Sequence, residues 1–181
     1  MKTRQHGFTM IELIVVIVIL GILAAVALPR FTNIQRDARI AKLNAARGAV
    51  LAASAMVHGT ALARAGSADT ATCAANVGPN PAIANNTTNL CTESGRVALV
   101  NTYPAGTLNG IVDASGLSLV FPATGGAAGT LAQEGYDATA AAGVVTVQVR
   151  GGTNAPTCSF TYTAAAAGAA PVISAINRAG C

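Results

Sequence analysis

The chain has 181 residues, of which 52% are hydrophobic, 10% charged and 4% aromatic, with no tryptophan and a net charge of +4. So little charge excludes a disordered tail protein, which combines high charge with low hydropathy, and departs from ordinary cytosolic enzymes, where about a quarter of residues are charged. Lys2 and Arg4 aside, nine basic residues face seven acidic ones, and five of the nine (Arg30, Arg36, Arg39, Lys42, Arg47) fall in one stretch opposed only by Asp37. The positive field is therefore local, whereas a dedicated nucleic-acid binder is more basic throughout.

In chain order, the leading MKTRQHG is followed by FTMIELIVVIVILGILAAVALP. From Leu13 to Leu28 no residue is polar, and between Phe8 and Leu28 the single charge is Glu12. As a helix, residues 8–28 rise about 31 Å, which matches a hydrocarbon core of roughly 30 Å. Three readings compete. A secretory signal peptide would use Lys2 and Arg4 as its basic region and Ala25-Val26-Ala27 as its cleavage site, leaving a secreted soluble binding protein that begins at Leu28. A plain single-span anchor accounts for the length but not for Glu12, since a carboxylate at the bilayer centre costs roughly 2.5–3.5 kcal/mol. The third reading gives Glu12 a function.

That reading rests on the string Gly7-Phe8-Thr9-Met10-Ile11-Glu12-Leu13, which resembles the class III leader junction of type IV prepilins and of the related type II secretion pseudopilins. Met10 departs from the commoner leucine. The likeness continues through Pro29-Arg30-Phe31 and Gln35-Arg36-Asp37-Ala38-Arg39 to about Gly59, where it is most similar to pilins of the mannose-sensitive haemagglutinin type. The resemblance implies cleavage between Gly7 and Phe8, N-methylation of Phe8, and an assembly role for Phe8 and Glu12. In a stack of parallel helices, Glu12 of one subunit can meet the Phe8 amine of the next. A buried charge is tolerated when paired and penalised when not, so the pair would set the axial stagger. The resemblance also implies that the stretch between Gly21 and Pro29 can unwind in a filament. Its implied partners are the prepilin peptidase, an inner-membrane platform, an assembly ATPase and a secretin. The positive-inside rule alone would put the C-terminal part in the cytoplasm, because Arg30, Arg36, Arg39 and Lys42 outnumber Lys2 and Arg4. The leader junction and the cysteines put it outside.

Beyond the span, Ile34, Ala38, Ala41, Ala45, Ala49, Ala52 and Met56 recur at steps of three and four. This predicts one helix over about 9–62 whose upper half lays that alanine stripe on a sheet. Pro29 is expected to interrupt it, and Gly21 is a second weak point. From 67 to 95 the chain reads as a loop, with its clearest turn cluster at 76–81. Asn85 and Asn86 both fit N-x-[ST], a pattern common by chance. Strand signals follow at 96–100, 117–121, 144–150, 157–163 and 172–176. One long helix followed by strands reads as α+β, with a small antiparallel sheet on the helix, as in the pilin fold. The expected organisation is a cleaved leader (1–7), a transmembrane and filament-core helix (8–28), an amphipathic continuation (29–65) and a globular region (66–181).

The four cysteines are Cys73, Cys91, Cys158 and Cys181. None has CxxC spacing, so zinc is not indicated. An even count beyond an apolar N-terminal segment suggests disulfides in an oxidising compartment. Of the three possible pairings, Cys73–Cys91 with Cys158–Cys181 closes the shortest loops and is the expected one, although sequence alone leaves the connectivity open. No P-loop, H-E-x-x-H or G-x-S-x-G occurs, and no catalytic residue, metal or cofactor is expected. His58 reads as a helix-surface side chain. Glu134 and Asp137 share a glycine-rich loop and fall short of the 6–8 oxygens that calcium takes. The basic stretch Arg30 to Arg47 reads as a solvated or groove-facing helix surface, against a sharper reading as a DNA-capture patch that lacks interleaved aromatics other than Phe31. The expected product is a structural subunit of a type IV pilus: an inner-membrane monomer with its globular part periplasmic, then an extracellular homo-oligomeric filament serving adhesion, motility or surface attachment. The alternatives are a secretion pseudopilin and the secreted soluble protein.

Overall fold

The computed structural model describes residues 8–64, 66–70, 73, 83–92, 95–117, 128–152 and 157–181. Gly7, the turn cluster at 76–81 and positions 118–121 of one expected strand lie outside the described residues. The chain divides into two compact units, Met1–Ala38 and Arg39–Cys181.

Helix α1 (Met10–Arg64) runs without a break, with Pro29 inside it. The expected interruption is absent. An internal proline removes one N–H and crowds the preceding turn, at about 3 kcal/mol, and in a 55-residue helix the bonds on either side carry on past it. In the first unit every described residue whose side chain is placed is exposed, with Phe8 at 85% and Val16 at 47%.

In the second unit, α1 buries Leu43, Ala46, Val50, Ala53, Val57 and Ala61. This is not the alanine stripe that the periodicity suggested. Ile34, Ala38, Ala41, Ala45, Ala52 and Met56 are exposed, and Ala49 is half-buried. The reason is area: burial is worth about 25 cal/mol per Å², and the face carrying Leu43, Val50 and Val57 removes more apolar surface from water than a row of alanines.

Two antiparallel sheets form where one was expected. The first is β1 (Asn89–Thr92), β2 (Gly95–Val100) and β3 (Tyr103–Pro104), in that order. The second is β4 (Tyr136–Ala141), β5 (Val144–Val149), β6 (Ser159–Thr163) and β7 (Val172–Ile173), again in chain order. The signals at 96–100, 144–150 and 157–163 correspond to β2, β5 and β6, while β7 is shorter than its signal. Strand β1 falls in the stretch read as loop, and β4 starts within the loop assigned to Glu134 and Asp137. Neither NLCT nor YDATAA alternates large apolar residues; both gain their ladder from a neighbour, β2 and β5 respectively. In β5, Val145, Val147 and Val149 point inward, as the period of two requires.

The main core joins Leu43, Ala46 and Val50 to Ile111, Leu131, Val145, Val147, Phe160 and Tyr162. A second cluster joins Val57 and Ala61 to Leu90 and Leu99. Successive turns of α1 therefore serve the two sheets in turn. Between the sheets, the Tyr162 hydroxyl donates to the Pro104 carbonyl at 2.7 Å and Asn101 Nδ2 donates to the Ala165 carbonyl at 2.9 Å. A π-helical turn (Leu108–Val112) and a short helix α2 (Ala128–Gln133) complete the unit.

The two hairpins whose two central residues are both described use positive φ at each of them, the backbone that matches strand twist. Ala142 (49°) and Gly143 (78°) link β4 to β5, and Asn101 (51°) and Thr102 (68°) link β2 to β3. A β-branched residue rarely adopts this conformation. Thr102 is held there by His58, whose Nδ1 lies 3.0 Å from Thr102 Oγ1 and whose ring stacks on Tyr103 at 3.8 Å and 4°.

Candidate assembly site

The start of α1 is built by Thr9 and Glu12. The Glu12 backbone N–H donates to Thr9 Oγ1 at 3.3 Å, and Glu12 Oε2 accepts from the Thr9 N–H at 3.0 Å and from the Thr9 hydroxyl at 2.8 Å. This reciprocal pairing is a capping box, which satisfies two donors that a helix start otherwise leaves open. The T-x-x-E signal stands in the sequence, but the reading of Glu12 as a partner for the Phe8 amine passed over it. Both carboxylate bonds use Oε2, so Oε1 carries none among the described residues.

Phe8 is exposed, and a side chain built at Gly21 would meet nothing within 4 Å. With Pro29 inside the helix, the expected assembly residues are spread along the exposed part of α1. At the start of the helix the contact formed is that between Thr9 and Glu12. Farther along, Ala41, Ala45, Gly48, Ala52, Ala55 and Gly59 are all exposed and alternate steps of four and three. That is the seam spacing of packed helices, and small residues let backbones approach closely.

The basic stretch behaves differently from its reading. Arg39 Nη1 donates to the Cys181 carbonyl at 2.7 Å, Arg47 Nε donates to the Ser174 carbonyl at 2.8 Å, and Lys42 Nζ donates to the Glu134 carbonyl while lying 4.5 Å from the centre of the Tyr136 ring. These three cations hold the C-terminal segment and the α2–β4 turn against α1 while remaining half-buried, so they do more than form a solvated face. Arg30 and Arg36 remain exposed. Arg64, at the helix end, reaches Asp69 at 3.2 Å, Asn86 Oδ1 at 3.4 Å and the Cys91 carbonyl at 3.3 Å. Cys73 is bonded to Cys91, and Cys158 to Cys181. His58 is half-buried against the β2–β3 turn rather than a free surface side chain. Asp137 sits on β4 in an ion pair with Arg150 at 2.9 Å, and no group of three metal-ligating side chains occurs among the described residues.

The family model for the prokaryotic N-terminal methylation motif matches residues 2–28. The chain is 49% identical over 53 residues to PilA5, a type IV narrow pilus major component of Thermus thermophilus, which is 29% of this chain and 46% of that protein. It is 42% identical over 48 residues to FimA, a type IV major fimbrial protein of Dichelobacter nodosus (26% and 31%). It is 52% identical over 42 residues to PilE1, a type IV major pilin protein of Neisseria gonorrhoeae (23% and 26%). The N-terminal segment is thus similar to that of type IV pilins. The matched stretch spans less than half the length of each of these pilins. No solved structure matches the chain.

Proposed function

We propose that this chain is a structural subunit of a type IV pilus. The observation that carries the reading is the apolar first part of α1, none of which is buried within the chain. A helix that is apolar on all sides needs lipid or other helices around it. Cleavage after Gly7 leaves Phe8 as a methylated terminus, residues 8–28 hold the subunit in the inner membrane, and the disulfide-bearing unit folds in the periplasm. Polymerisation moves the apolar helix from lipid into a bundle of identical helices. Glu12 keeps Oε2 on Thr9 and offers Oε1 to the Phe8 amine of a neighbour. The seam from Ala41 to Gly59 extends the contact beyond the span. The peptidase, platform, ATPase and secretin supply processing, energy and passage, so this chain performs no chemistry of its own. The extracellular filament then serves attachment or motility. The similarity to named pilus and fimbrial major components supports this reading over the soluble-protein alternative.

Glu12→Ala tests it, with Thr9→Ala as the companion. Both variants lose the capping box, at about 1 kcal/mol, but only Glu12→Ala leaves a buried amine unmatched, at roughly 3–5 kcal/mol per added subunit. The expected outcome is membrane-held Glu12→Ala subunit with intact disulfides and no sheared filaments, beside near-normal filaments from Thr9→Ala. Wild-type filament yield from Glu12→Ala would overturn the pairing. Intact mass or N-terminal sequencing of the exported chain should give methylated Phe8, and a terminus at Leu28 would instead establish the soluble protein.

A further inference from the structure

The five cations between Arg30 and Arg47 divide into two groups. Arg39, Lys42 and Arg47 each donate to a carbonyl elsewhere in the second unit. Arg30 and Arg36 are both exposed, and among the described residues neither meets a hydrogen-bond acceptor or a carboxylate. The acidic residue nearest to them in sequence, Asp37, directly follows Arg36, and adjacent residues on a helix do not face each other. No other acidic residue stands between Leu13 and Ala38. A guanidinium presents a planar fork of N–H donors that matches the oxygens of a carboxylate or a phosphate. Six residues apart on one helix, these two forks stand about 120° apart around its axis, with Phe31 exposed between them in sequence.

We propose that Arg30 and Arg36 form a collar that binds the headgroup phosphates of anionic phospholipids, of the phosphatidylglycerol class, where the span leaves the membrane. The collar rests on the placement of residues 8–28 in lipid proposed above. With Leu28 at the edge of the hydrocarbon, the Cα atoms of Arg30 and Arg36 lie about 3 and 12 Å beyond it along the helix. The headgroup layer is roughly 5–7 Å deep on each side. Side chains on a helix lean toward its N-terminus, over the turn before their own Cα. Here that direction is toward the hydrocarbon, and a lean of one turn, about 5 Å, brings the Arg36 fork down to the layer. Arg30 starts within the layer, and its stem can lie along the apolar edge while its head stays among the phosphates.

The geometry favours lipid over the other polymer that offers phosphates. Duplex DNA lies against one side of a helix, whereas lipids surround it, and two forks about 120° apart suit neighbours on several sides. The charge favours an anionic lipid. A zwitterionic headgroup carries a cation beside its phosphate that opposes an arginine, and phosphatidylglycerol carries none. One arginine at the headgroups should favour an anionic neighbour about fivefold, equivalent to about 1 kcal/mol.

The chain has no tryptophan, so Phe31→Trp places a single indole beside the collar. The full chain with this substitution is inserted into mixed bilayers of phosphatidylcholine and phosphatidylglycerol in which an equal fraction of one lipid or the other carries bromine. Quenching of the indole then reports which lipid is its neighbour. Phosphatidylglycerol should be enriched about fivefold over its bulk share, and the enrichment should shrink in about 1 M salt, where exposed charges are screened. With Arg30→Gln and Arg36→Gln added, the enrichment should vanish while quenching itself persists. Equal quenching by the two lipids with both arginines present, or an enrichment that survives the glutamines, would overturn the collar and leave the membrane placement standing. Quenching by neither lipid would overturn both. Equal quenching joined to a loss of DNA binding by sheared filaments of the glutamine variant would assign the arginines to DNA instead.

Discussion

Tyr162 is fully buried, and its hydroxyl donates to the Pro104 carbonyl in the other sheet. Burial pushes its phenol up to about 12, so it remains a donor across the working pH range. Removing the hydroxyl leaves a buried carbonyl without its partner, and such a group costs about 1–3 kcal/mol. Tyr162→Phe should therefore lower the stability of the second unit by about that amount while leaving the ring's packing intact. Denaturant unfolding of the full chain, followed by circular dichroism of the sheet signal, checks it; an unchanged midpoint would mean that the Pro104 carbonyl finds water. At the same scale, Thr102 adopts a backbone that glycine takes freely, and its cost is offset by the contacts with His58.

At the scale of the element, α1 carries two apolar faces with different fates. Leu43, Val50 and Val57 face the sheets, and Ala41, Ala45 and Ala52 face away. Leu43→Ala should cost about 2–5 kcal/mol in unfolding free energy. Ala52→Leu should leave stability within about 0.5 kcal/mol but lower filament yield by widening the seam. Equal filament yields from Ala52→Leu and wild type would remove the seam from the assembly interface. The helix, its span and the strands β2, β5 and β6 were legible because each has a clean period or an unbroken apolar run. The inward face of α1 was not, because steps of three and four fit two adjacent faces, and the choice between them depends on partners distant in sequence. Strands β1 and β4 were hidden for a related reason: NLCT and YDATAA become strands through pairing. Near the proposed assembly residues, the T-x-x-E of Thr9 and Glu12 was readable, whereas the carbonyl partners of Arg39, Lys42 and Arg47 lie 92 to 142 residues away and leave no local trace.

At the scale of the whole molecule, each disulfide closes a short loop at a different edge of the second unit, with sequence separations of 18 and 23. A loop of that length contributes about 3 kcal/mol in the chain-entropy account. The Cys158–Cys181 bridge also fixes the segment that Arg39 binds. Replacing both of these cysteines by serine should lower stability by about 2–5 kcal/mol and increase proteolysis near Arg178 before elsewhere. Uniform proteolysis across the unit would show that the bridge does not act locally.

The second sheet is a meander, with strand order β4-β5-β6-β7 equal to chain order and a two-residue turn at its first hairpin. Every pairing in it joins neighbours along the chain, so it closes small loops and nucleates quickly. The docking of α1 joins residues such as Leu43 and Phe160 across most of the sequence, which makes it the later and slower event. Val147→Ala should then retard refolding, while Leu43→Ala should chiefly hasten unfolding. For a chain synthesised from its N-terminus, the consequence is an order of events: the helix arrives early, waits unpacked, and is captured when the last sheet to emerge folds onto it.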